Sequence, residues 1–121
     1  MKRTLVIALA LALAFPAAFR CKGAYEGALA DAARVGDLAE INKYIGKGAD
    51  INAQWFGRTP LQVASEEGQL KAVELLLEKG ANINAKSKFD KTALDYAEEK
   101  ARKDVITFLK GKGGKRSADI K

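Results

Sequence analysis

Few side chains in this 121-residue sequence are of a type that does chemistry. Four carboxylates stand in adjacent pairs, Glu66-Glu67 and Glu98-Glu99. Paired carboxylates perform acid–base work when they share a proton, but neighbours along a helix do not face each other. Ser65 and Thr107 offer hydroxyl nucleophiles and Cys21 a thiol, yet none has a base, because the sequence contains no histidine. That absence removes the commonest general base and the commonest metal ligand. No phosphate-cradling glycine loop is present. The chain therefore reads as non-enzymatic, with no catalytic residue, no metal ligand and no cofactor assigned.

The formal charge is +6, which invites a nucleic-acid reading until the charge is located. Between Lys22 and Leu109 acidic and basic residues nearly balance. The excess lies at the ends, in Lys2, Arg3 and Arg20 and in Lys110, Lys112, Lys115, Arg116 and Lys121. A basic terminus without a basic folded face is a solvated tail, so no nucleic-acid partner is expected.

The first twenty residues read as an address. Lys2 and Arg3 precede an unbroken apolar run over residues 5–15, the pattern of a secretory signal peptide. The run is shorter than the ~20 residues that span a bilayer, and Pro16 interrupts its extension. The expectation is a signal peptide over residues 1–20 and a periplasmic or secreted protein. Cleavage after Ala14, Ala18 or Gly23 is open. Cys21 suggests a lipoprotein, but Arg20 stands where a small residue is usual; the other reading is a free thiol, open to intermolecular pairing in an oxidising compartment.

The remainder repeats. Gly48-Ala49-Asp50-Ile51-Asn52-Ala53 returns further along as Gly80-Ala81-Asn82-Ile83-Asn84-Ala85. At nearly the same offset, Phe56-Gly57-Arg58-Thr59-Pro60-Leu61 returns as Phe89-Asp90-Lys91-Thr92-Ala93-Leu94, and Gly36-Asp37-Leu38 as Gly68-Gln69-Leu70. Thr59 suits a helix cap with Pro60 at the first helical position. Gly68 suits the turn that reverses the chain, and Gly80 a left-handed cap. Leu70, Val73 and Leu77 recur at helical spacing, as do Leu38, Ile41 and Ile45 before them and Val105, Ile106 and Leu109 after.

A period near 33 with a T-P-L-x-x-A core resembles the ankyrin repeat. The resemblance covers about residues 25–113 and implies an all-α repeat: an ankyrin solenoid of about three helix-turn-helix units joined by β-hairpin loops. The domain is placed at residues 21–113, with units at about 25–53, 54–86 and 87–113, followed by a basic flexible tail over 114–121. Two positions depart from the pattern. Gln62 stands where the family has a histidine that makes structural hydrogen bonds. Ala101 stands where the third unit should have its turn glycine, and either takes a left-handed conformation, at about 1 kcal/mol, or lengthens the helix.

Members of the family bind protein partners through hairpin tips and the exposed side of each first helix. The resemblance carries this to Gln54, Trp55, Phe56 and Arg58 on one hairpin, to Lys86, Lys88, Phe89 and Lys91 on the next, and to Glu66, Glu67, Glu98 and Glu99 at the helix ends. Trp55, which has no aromatic counterpart, is the expected anchor; the recurring Phe56 and Phe89 are expected to pack onto their own hairpins. Acidic helix ends beside basic hairpins would form a banded groove that steers a charged partner. The expected function is a monomeric adaptor acting outside the cytoplasm on one protein partner, with an immunity-type inhibitor and an accessory factor for an exported enzyme as subtypes. The alternative is a membrane-associated structural protein held by an uncleaved leader or a lipidated Cys21, its basic tail on anionic headgroups.

Overall fold

The computed structural model describes residues 25–120. The leader, its cleavage site and Cys21 lie outside the described residues. Among the described residues six α-helices form three antiparallel pairs: α1 Glu26–Val35 with α2 Leu38–Gly46, α3 Pro60–Glu67 with α4 Leu70–Glu78, and α5 Ala93–Glu99 with α6 Lys103–Gly111. The first helices stack as one layer, α1 on α3 on α5, and the second helices as another, α2 on α4 on α6.

Local chemistry sets the boundaries. Thr59 caps α3 by accepting from the Gln62 N–H, while the Gln62 side chain reaches back to the Thr59 N–H, and Pro60 fills the first turn. Thr92 and Asp95 repeat the box at the start of α5. Short helices of seven to ten residues are marginal alone and are held by the face they bury. That face carries Leu29, Ala32 and Ile41 in unit one, Leu61, Ala64, Val73 and Leu76 in unit two, and Leu94, Ala97, Val105 and Leu109 in unit three. Leu38, Ile45, Leu70, Leu77 and Ile106, expected on the same stripes, are not fully buried.

The turn within each pair shows why glycine holds two of its three positions. Gly36 and Gly68 have positive φ, and each is covered by the unit that follows. A Cβ on Gly36 would stand 2.7 Å from Gln69 Oε1, and one on Gly68 2.8 Å from Arg102 Cδ. Those same side chains donate to the ends of the first helices, Gln69 to the Arg34 carbonyl at 3.1 Å and Arg102 to the Glu66 carbonyl at 2.9 Å. Ala101 also takes the left-handed conformation (φ 54°) but is exposed, so its methyl group costs only the backbone strain.

Among the described residues the hairpins contain no strand; one isolated bridge, Trp55 with Arg58, closes the loop before unit two. Asparagine side chains join successive loops. Asn52 accepts from the Asn82 N–H at 2.8 Å, and Asn84 from the Lys115 N–H at 2.8 Å. Residues 114–120, expected as a flexible tail, thus fold back in the manner of a further loop. The Thr92 hydroxyl donates to the Lys115 carbonyl at 2.5 Å, the Ser117 N–H donates to Asp95 at 2.8 Å, and residues Ser117–Asp119 form a 3-10 turn. No helix among the described residues is long and apolar enough to cross a membrane.

Candidate protein-binding surface

The two hairpins stand side by side because backbone meets backbone between them. The Lys88 N–H donates to the Gly57 carbonyl at 2.9 Å, and the Gln54 amide donates to the Lys86 carbonyl at 3.0 Å. The approach is close enough that a Cβ on Gly57 would lie 2.9 Å from Lys88 Cβ and 3.2 Å from a ring carbon of Phe89. Gln54, exposed on its hairpin, is thereby also a joint between the two loops.

The placement of the aromatic residues follows from this geometry, and Phe56 and Phe89 depart from the packing onto their own hairpins that the sequence suggests. Phe56 has positive φ (52°) and projects from its hairpin with 82% of its surface exposed; Phe89 projects from the next with 57% exposed. Neither packs down onto its own hairpin. Trp55 is the ring that turns inward, partly buried, with its indole over Gly27 of α1, where a Cβ would lie 2.8 Å from the ring. Phe56 meets Trp55 edge-on at 5.3 Å between centroids. Trp55, Phe56 and Phe89 therefore make one aromatic ridge along the hairpin tips, with Phe56 at its crest and Trp55 at its foot.

The charges are more fully paired than the sequence suggests. Arg58 is bonded to Glu66. Lys91, its equivalent in the next unit, is bonded to both oxygens of Glu99 at 2.7 and 2.9 Å. The hydrogen bond to Glu99 holds the Lys91 ammonium above its ordinary value. Buried Tyr96 lies between the two cations, 6.0 Å from Arg58 and 5.7 Å from Lys91, and its hydroxyl donates to Ser87 at 2.9 Å. Glu98 accepts twice from the Arg116 guanidinium, at 2.6 and 2.9 Å. That hydrogen bonding, with the charges of Arg116 and Lys110, keeps its carboxyl below the usual glutamate range and raises Arg116 in turn. Lys86 pairs loosely with Asp90 at 3.5 Å. Glu67 is exposed at the end of α3. The banded groove is thus largely a series of paired rungs, and the rings of Phe56 and Phe89 project beside them.

Gln62 takes over the bonds its family position requires. Besides the cap, its amide donates to the Ala85 carbonyl at 2.9 Å and to Lys91 at 3.4 Å. Asp95 holds the same place in unit three and, lacking a donor, accepts from the Ser117 N–H instead. Arg102, Tyr96 and Arg116 were not legible as site-shaping residues, since their partners come from elements 9 to 36 residues away.

A stack of paired helices with projecting loops defines a helical-repeat module. Residues 29–120 match the ankyrin repeats (three copies) family pattern. The chain belongs to the ankyrin-repeat family, and such a domain is a protein–protein interaction module. It is 40% identical over 83 residues to the ankyrin repeat and KH domain-containing protein mask-1 of Caenorhabditis elegans, a match covering 68% of this chain and 3% of that protein. It is 38% identical over 84 residues to the serine/threonine-protein kinase VIK of Arabidopsis thaliana, covering 69% and 18%. It is 34% identical over 64 residues to human GA-binding protein subunit beta-1, covering 53% and 16%. The chain thus spans under a fifth of each of these relatives.

Proposed function

We propose that this chain is a non-enzymatic adaptor that binds one protein partner through the aromatic ridge of its hairpins. The observation that supports the reading is the outward placement of Phe56 and Phe89 on neighbouring hairpins locked together at Gly57. Two large rings held in water by a fixed backbone lose little entropy when a partner covers them, and aromatic anchors dominate interface energies. The paired rungs Arg58–Glu66 and Lys91–Glu99 border the ridge and set its register rather than its strength.

The apolar run after Lys2 and Arg3 supports export, so the adaptor acts in a periplasmic or secreted setting, as an inhibitor of an enzyme delivered there or an accessory factor for one. The test is a photo-reactive amino acid at position 56 in the exported protein, with position 71 as reference on the opposite side of the stack. A single protein species captured from position 56 and not from Lys71 supports the reading. Equal capture from both positions, or recovery of the chain only in the cytoplasm, overturns it.

A further inference from the structure

Arg58, Lys86, Lys88 and Lys91 are the cations of the two hairpins, and the fold answers all but one. Arg58 is held by Glu66, Lys91 by Glu99 and Lys86 by Asp90. Lys88 is exposed and makes no ion pair among the described residues. Its place is fixed all the same. The Lys88 N–H donates to the Gly57 carbonyl, and its side chain lies against Gly57, where a Cβ would stand 2.9 Å from Lys88 Cβ and 3.2 Å from Lys88 Cδ. Gly57 directly follows Phe56, and Lys88 directly precedes Phe89. The cation left unanswered thus stands beside both exposed rings, with its alkyl stem packed against the neighbouring backbone.

We infer that the partner of the ridge presents an Asp or Glu flanked by apolar side chains, with the carboxylate paired to Lys88 and the apolar groups over Phe56 and Phe89. The inference rests on the ridge being the binding surface. A partner that covers the two rings excludes water from the lysine beside them, and a cation stripped of water without a counter-charge is costly. A wholly apolar partner incurs that cost, and a basic one adds repulsion. One carboxylate suffices, because the cations of the neighbouring rungs already have theirs. A nucleic acid strand also stacks on aromatic rings, but its phosphates call for several cations. Here a single one is uncommitted, with the carboxylates of Asp90 and Glu99 on the same face.

The probe is a random-peptide phage library selected on the whole protein, with the variant Phe56→Ala with Phe89→Ala as counter-selection. Peptides retained only by the unaltered protein carry an Asp or Glu between apolar residues. Measured by fluorescence anisotropy, their Kd weakens at least about tenfold when that acidic residue is replaced by Lys. Lys88→Glu reverses the preference, weakening the acidic peptides and restoring the Lys-containing ones. It leaves the melting temperature unchanged, because the bond to Gly57 comes from the backbone. Ridge-dependent peptides with no acidic residue in common, or with a preference that Lys88→Glu does not alter, overturn the inference and leave the ridge standing. Recovery of no peptide, or of peptides held equally by the double alanine variant, overturns the ridge reading and this inference with it. Labelled oligothymidylate that binds the unaltered protein as tightly as the selected peptides at physiological salt overturns the choice of a protein partner.

Discussion

Arg58, at the base of one hairpin, is salt-bridged to Glu66 at the far end of the helix that follows, and in the next unit Lys91 makes the same bridge to Glu99. Each rung ties a loop to a helix within its own unit. The first is the more enclosed, with side chains 30% and 21% exposed against 40% and 47% for the second. Coulombic attraction is worth more where less water screens it. Glu66→Gln should therefore lower stability by about 1 kcal/mol, within the range of partly enclosed charged hydrogen bonds, and Glu99→Gln by distinctly less. Urea midpoints of the two variants check the ranking.

The turns make a paired prediction. Ala101→Gly relieves a left-handed alanine that nothing covers and should stabilise the protein by about 0.5–1 kcal/mol. Gly68→Ala adds the same backbone strain and also drives a methyl group against Arg102, displacing its bond to the Glu66 carbonyl. It should cost more than the alanine strain alone. Thermal melts with opposite signs for the two variants bear this out; a neutral Gly68→Ala would contradict the packing at that turn.

Leu76 is fully buried in the core shared by the three units. Leu76→Ala should cost about 2–5 kcal/mol, enough to threaten a stack of three units. An unchanged melting temperature would mean that α4 is rotated from its observed register.

Acid should release the C-terminal segment. Glu98 has a folded-state pKa lowered by its hydrogen bond to Arg116. A depressed carboxylate stabilises the fold fully above its unfolded value, and that stability is lost as pH falls through the folded one. Relative to Glu98→Gln, the protein should show a constant advantage at neutral pH, which shrinks as pH drops below the ordinary value of 4.5. Melting temperatures of both proteins between neutrality and acid test the sign.

Most of the scaffold was legible in the sequence, for local reasons. The helix start at Thr59, the turn at Gly68 and the burial of Val73 depend on neighbours a few residues away. The orientation of the aromatics was not. Trp55 faces inward because Gly27, in the preceding unit, leaves a flat place on α1 for its ring, and Phe56 faces outward because its own φ is positive. Neither condition is written in the hairpin itself. The carboxylates Glu66, Glu98 and Glu99 looked available for the same reason: their cationic partners stand 8 to 18 residues off in sequence and only the fold brings them together.

The aromatic ridge is the core of the account, and affinity for the captured partner tests it most directly. Because Phe56 and Phe89 project into water, Phe56→Ala with Phe89→Ala should leave the melting temperature nearly unchanged while weakening the partner by roughly thirtyfold or more, the loss of about 2 kcal/mol expected from exposed anchors. Trp55→Ala, in contrast, should lower stability, since it removes the ring that covers Gly27. Measured by calorimetric titration, a Kd of the double variant weakened in this way, with folding intact, is the predicted result. A Kd equal to that of the unaltered protein would contradict the ridge as the binding surface.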